Sequence, residues 1–99
     1  MSLKPETQVI RGEAGEKLGE AEFQNGKPHG LTRLWYSSGA LHIEGQMVNG
    51  EYHGTYKSWW SNSKLKEEGT FHHGKRVGIY RWYSDSGELN QEHDYGPAF

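Results

Sequence analysis

Cysteine is absent from this chain, which removes disulfides, cysteine-based zinc sites and thiol nucleophiles together. No apolar run approaches the roughly 20 residues needed to cross a bilayer, and the start Met1-Ser2-Leu3-Lys4-Pro5 lacks a signal-peptide core. A cytoplasmic location is the expectation. Basic residues are not in excess either. With 11 basic and 13 acidic side chains the formal charge is −2, which offers no positive field to a phosphate backbone or an anionic membrane. Nucleic acid is not an expected partner, and membrane binding is disfavoured. Apolar residues are scarce, at 32%, and 14 of the 99 residues are glycine, so only a modest core can form. What apolar surface exists sits in large rings, four Trp and six Tyr among them. Burying those rings is the main stabilising term open to such a chain.

What the chain does have is a repeat. Gly26-Lys27-Pro28-His29-Gly30, Gly50-Glu51-Tyr52-His53-Gly54 and Gly74-Lys75-Arg76-Val77-Gly78 superpose at a step of 24 residues. Trp35, Trp59 and Tyr83 keep the same step, as do Leu41, Leu65 and Leu89, and Glu20, Glu44, Glu68 and Glu92. Phe23, Met47, Phe71 and Tyr95 close each unit with a large apolar side chain. Such a period indicates a stacked array of one small unit. The expected domains are a lead-in over 1–14, one repeat domain over 15–95, and a tail over 96–99. The repeat domain divides into a half repeat 15–25 and repeats 26–49, 50–73 and 74–95.

Within a unit the pattern reads as β. Thr32, Leu34 and Tyr36 alternate with Leu31, Arg33 and Trp35 before the turn formers Ser37-Ser38-Gly39-Ala40, and comparable turns recur at Ser61-Asn62-Ser63 and Ser84-Asp85-Ser86-Gly87. Asn25-Gly26 and Asn49-Gly50 mark the reverse bends, and Gly26, Gly30, Gly50, Gly54, Gly74 and Gly78 are read as repeat turns. The expected fold is all-β, a curved antiparallel meander of tandem hairpins.

If Tyr36 pairs with Leu41, then Trp35 falls beside His42, Leu34 beside Ile43 and Arg33 beside Glu44. Adding 24 brings Lys57 to Glu68 and Arg81 to Glu92, so one register returns an opposite-charge pair in every hairpin. Each such pair favours the register by roughly 0.2–1 kcal/mol. Alternation then sorts the faces. One carries Phe23, Leu34, Tyr36, Leu41, Ile43, Met47, Tyr56, Trp60, Leu65, Phe71, Tyr80, Trp82, Leu89 and Tyr95. The other carries the charge ladder with Trp35, Trp59 and Tyr83.

The segment Phe23-Gln24-Asn25-Gly26-Lys27-Pro28-His29-Gly30, followed by an aromatic pair and a Gly-containing turn, resembles the MORN-repeat family. The pairs Trp35-Tyr36, Trp59-Trp60 and Trp82-Tyr83 are more similar to the repeat variant common in bacterial proteins, some of which are described as antitoxins. The resemblance implies an elongated antiparallel sheet with an aromatic-rich groove, and a role in protein-protein interaction. Ser63 stands where the turn glycine is expected, Val77 replaces the histidine, and Trp82 lies one position early.

Metal binding, catalysis and a cofactor are not expected from these residues. His29 and His53 occupy matching positions roughly 9–10 Å apart, two strand spacings, and His72 and His73 would point to opposite faces of a continuing strand. The four ladder glutamates occupy equivalent sites rather than the two contrasting environments that acid-base chemistry requires. The leading reading is a non-catalytic interaction module, antitoxin-like in its most specific form. It would bind a protein partner through Trp35, Tyr36, Tyr56, Trp59, Trp60, Tyr80, Trp82 and Tyr83, or through an open edge. A single sheet leaves an uncovered face, so self-association through that face or an edge strand is the other partner expectation. The alternative is recognition of a glycan or lipid headgroup by stacked aromatics. The lipid branch is weaker, because Arg33, Lys57 and Arg81 are matched by Glu44, Glu68 and Glu92.

Overall fold

In a computed structural model that describes residues 6–98, Asn25-Gly26, Asn49-Gly50 and His73-Gly74 make two-residue turns with positive φ at both positions, 53° and 78°, 49° and 85°, 47° and 82°. That is the geometry whose twist matches paired strands, and Asn-Gly is its preferred sequence. The opposite turns are longer. Tyr36 N–H donates to the Ala40 carbonyl at 2.9 Å and Gly39 N–H to the Tyr36 carbonyl at 2.9 Å, and the same two bonds recur at Trp60–Lys64 and Ser84–Glu88. Gly39 and Gly87 take φ of 95° and 94°, while Ser63 is held at 71° without the glycine's freedom.

These turns join eight strands, β1(Glu6–Arg11), β2(Lys17–Gln24), β3(Lys27–Trp35), β4(Leu41–Val48), β5(Glu51–Trp59), β6(Leu65–His72), β7(Lys75–Tyr83) and β8(Leu89–Asp94). They form one antiparallel sheet in sequence order, each strand beside its chain neighbour. The sheet is a plate of 44 × 41 × 12 Å, a single layer in which, among the described residues, no strand pairs with the outer side of β1 or β8.

The expected register holds along most of each hairpin. Arg33 faces Glu44, Lys57 faces Glu68 and Arg81 faces Glu92. It fails at the aromatic end, where a bulge pairs Trp35 with Leu41 rather than His42, and likewise Trp59 with Leu65 and Tyr83 with Leu89. The extra residue arises because the turn bond closes from Tyr36 to Ala40, which leaves Tyr36 outside the strand instead of opposite Leu41. A second irregularity interrupts the reverse hairpins: between Gly45–Tyr56 and Met47–Tyr52, three residues of β5 oppose one of β4. Gly54, with φ of 113°, lies in that bulge, and Gly30 and Gly78 lie in its equivalents. These three glycines therefore sit inside strands, so that of the six read as repeat turns Gly26, Gly50 and Gly74 occupy them.

The array also begins earlier than the sequence suggested. Within the segment read as a lead-in, β1 pairs with β2, and the Gly12–Glu16 turn has the same two backbone bonds as Tyr36–Ala40, 24 residues on. The charge ladder crosses seven of the eight strands, β2 to β8, with Val9 in its place on β1. Glu20, Arg33, Glu44, Lys57, Glu68, Arg81 and Glu92 lie side by side with alternating sign. Arg33 Nε donates to Glu44 at 2.8 Å and Arg81 Nε to Glu92 at 2.7 Å, with Glu68 3.9 Å from Arg81. Lys57 is aligned with Glu68, but among the described residues no ion pair within 4.0 Å joins them. Exposed pairs of this kind contribute about 0.2–1 kcal/mol each, so the ladder's main effect is on register.

Candidate functional site

The face opposite the ladder is where rings collect. One cross-strand row there runs Ile10, Gly19, Leu34, Ile43, Ser58, Glu67, Trp82, Gln91, and a neighbouring row includes Gly45, Tyr56 and Gly69. Because Gly45 and Gly69 have no side chain, rings from the following strand fold over them. A Cβ on Gly69 would lie 2.0 Å from Tyr80 Cδ2, and one on Gly45 would lie 2.8 Å from Tyr52 Cε1. Sequence reading passed over both glycines, although an isolated glycine within a strand pattern is a signal of close approach.

The resulting cluster is continuous. Tyr52 meets Tyr56 edge-on at 5.1 Å between centroids, both contact Phe71 at 5.4 Å, Phe71 meets Tyr80 at 6.0 Å, and Tyr80 meets Trp82 at 4.8 Å. Such offset geometries are the favourable ones for aromatic pairs. Arg76 covers part of it, its guanidinium carbon 4.8 Å from the Tyr80 ring centre. Among the described residues Tyr80 is the one large apolar side chain fully buried; Tyr52, Tyr56, Phe71 and Trp82 remain half-exposed.

A carboxylate lies inside this face. Glu67 accepts the Ser58 hydroxyl at 2.9 Å on one oxygen and the Tyr80 hydroxyl at 2.7 Å on the other. One repeat earlier in the row this position is apolar: Glu67 stands where Ile43 does, and Ser58 where Leu34 does, each 24 residues away. Burial, reinforced by the Glu67 charge, pushes the Tyr56 phenol up to about 12. Burial and the hydrogen bond to Glu67 raise Tyr80 further, and Tyr52 moves the same way. The sign follows. A phenol whose folded pKa exceeds its unfolded value of 10.0 holds its proton better in the folded chain, so its stabilising contribution is complete below pH 10 and is lost as pH rises towards 12. We therefore expect melting temperature to fall across that window, with part of the tyrosinate absorbance appearing only as the protein unfolds.

The remaining candidates from the sequence do not join the cluster. Tyr36 stacks on His42 at 4.2 Å and donates its hydroxyl to the Trp59 carbonyl at 2.7 Å. Trp60 repeats the device, donating Nε1–H to the Tyr83 carbonyl at 3.2 Å beneath Lys66 Nζ, 4.7 Å from the ring. Both rings thus tie one hairpin turn to the next. Trp35 lies under Lys17 Nζ at 5.3 Å, and the Tyr83 hydroxyl donates to Glu68 at 3.2 Å. Tyr80 is core rather than contact surface. Of the eight candidates, Tyr56 and Trp82 are the half-exposed members of the cluster.

The histidines also differ from expectation. His29 and His53 each accept the backbone N–H of the following reverse turn at Nδ1, from Asn49 at 3.4 Å and from His73 at 3.1 Å. His72 and His73 do not diverge, because β6 ends at His72 and the positive φ of His73 turns its ring back. Their rings and that of His53 converge, with centroids 4.6–4.8 Å apart.

Compared with protein families, residues 20–40 and 44–55 match the MORN repeat, and residues 52–73 and 76–95 match the MORN repeat variant. No curated protein and no solved structure matches the chain. No helix among the described residues is long and apolar enough to cross a membrane.

Proposed function

The chain is a MORN-repeat protein, with MORN repeats and the repeat variant across residues 20–95, and from that premise we propose that it is a non-catalytic module that binds a partner protein through its aromatic face. MORN repeats are generally protein-binding and typically non-catalytic. The observation that supports this face is the missing second layer: Tyr52, Tyr56, Phe71 and Trp82 form one packed, half-buried patch that, among the described residues, no second sheet or helix covers, with Arg76 lying over part of it. Large aromatics grouped this way supply most of the binding energy at protein interfaces. In its most specific form the module is antitoxin-like, and the partner is a toxin.

The test is affinity capture from the source cell with the wild type and with Tyr56→Ala, Trp82→Ala and Trp60→Ala, each checked for folding. We expect a partner retained by the wild type and by Trp60→Ala, with recovery lowered about tenfold or more by the other two. Equal recovery from all four overturns the reading. A second reading has its own support: the edge strands are open, and Ile10 on β1 and Leu89 on β8 are 64% and 55% exposed. Open apolar edges favour pairing with another copy. Light scattering separates the two, since a monomer at high concentration excludes the edge-paired dimer.

A further inference from the structure

The second repeat departs from its neighbours at three places that meet at one end of the sheet. Glu51 stands where the other repeats have Lys27 and Lys75, His73 stands where they have Asn25 and Asn49, and His72 stands where they have Gln24 and Val48. Register and turn geometry gather these departures around His53. The ligand-capable atoms of His53, His72 and His73 all lie within 4.8 Å of one another, and Glu51 Oε1 lies 4.0 Å from His73 Nδ1. We propose that His53, His72 and His73 form a surface site for a first-row divalent cation that prefers imidazole, of the class of zinc, nickel and copper, with Glu51 orienting His73 from behind.

The chemistry of the donor set supports that class of ion. Neutral imidazole suits zinc, nickel and copper, while calcium and magnesium select oxygen ligands. A carboxylate beside the non-ligating nitrogen of a histidine is the usual outer partner, fixing the tautomer and raising ligand basicity. Zinc-nitrogen bonds of about 2.0–2.1 Å place tetrahedral ligands roughly 3.4 Å apart, so the three nitrogens must draw together from their present spacing. His73 is exposed and His72 half-exposed, which leaves their side chains free to make that adjustment. Lys75, next to the turn, is the opposing charge, and Arg76 is drawn aside over the Phe71 and Tyr80 rings.

One contact changes on binding. His53 Nδ1 accepts the His73 N–H, so in the neutral ring the proton sits on Nε2. Ligation through Nδ1 takes the lone pair that the amide uses; ligation through Nε2 requires the proton to move to Nδ1. Either route releases the His73 amide. The site is thereby coupled to the turn, and the bound state differs from a plain stack of three rings in a measurable backbone group.

The experiment is calorimetric titration of the full chain with zinc chloride and with nickel chloride, paired with amide spectra. Three variants restore the neighbouring repeats' own residues, His72→Gln, His73→Asn and Glu51→Lys, and His73→Asn keeps a residue suited to positive φ. The expected result is one saturable ion per chain, affinity lowered about tenfold or more by either histidine change and several-fold by Glu51→Lys, with the His73 amide shifted on binding. His42→Ala, outside the cluster, leaves the isotherm unchanged. Absence of saturable binding by the wild type, or an unchanged isotherm in the folded His72→Gln/His73→Asn double variant, overturns the proposal.

Discussion

Tyr80→Ala is expected to destabilise the fold by about 3–5 kcal/mol, the range for deleting a large buried ring. Tyr80 is 0% exposed, and its ring is the junction of the cluster, touching Phe71, Trp82 and Tyr95 and carrying Arg76. Its hydroxyl also satisfies half of the Glu67 carboxylate, so truncation leaves a charge on an apolar face with Ser58 as its remaining partner. A domain of this size holds about 5–15 kcal/mol in total, which makes the loss a large share of it. Urea denaturation followed by tryptophan fluorescence reads the effect. Tyr80→Phe separates the two contributions: it keeps the ring and removes the charge-assisted bond, with an expected cost of about 1.5–3 kcal/mol. A cost below about 1 kcal/mol for Tyr80→Ala would mean that the cluster does not hold the sheet together.

The size of that effect depends on details that the repeat pattern alone does not carry. A step of 24 residues and the pairs Arg33–Glu44, Lys57–Glu68 and Arg81–Glu92 were enough to place the strands and their register, because charge and alternation both depend on pairing. The N-terminal hairpin escaped notice since β1 carries Val9 where the ladder has Arg33, which removes the charge that would have marked it. Simple alternation sets Trp35 beside His42 and Trp59 beside Lys66, whereas a bulge fixed by backbone bonds in the turn pairs Trp35 with Leu41 and Trp59 with Leu65. The histidine cluster was hidden for a related reason: adjacent residues diverge on a strand, but His73 has left the strand at φ 47°. Departures from the repeat were the available signal. Glu51, Glu67, His72 and His73 each break the 24-residue pattern, and each lies in the aromatic face or the histidine cluster.

Gly69→Ala carries the second large effect, and it tests how Tyr80 comes to be buried at all. In an ordinary strand, alanine would improve on glycine by about 0.5–1 kcal/mol through lower chain entropy. Here the added methyl would sit 2.0 Å from Tyr80 Cδ2 and 2.5 Å from Cε2, and that ring is enclosed by Phe71, Trp82 and Tyr95. Something must move, and overpacking of this kind costs about 1–3 kcal/mol. Gly45→Ala makes the milder contact, 2.8 Å to the Tyr52 ring, which is half-exposed and can swing outward, so its cost should be smaller. The decisive comparison is a double-mutant cycle. If the penalty at Gly69 is the clash with Tyr80, Gly69→Ala becomes neutral or stabilising once Tyr80 is already alanine, giving a coupling energy of about 1–3 kcal/mol. Equal costs in both backgrounds would place the strain in the β6–β7 bulge between Glu68 and Thr70 instead, where the backbone rather than the ring would be resisting a side chain.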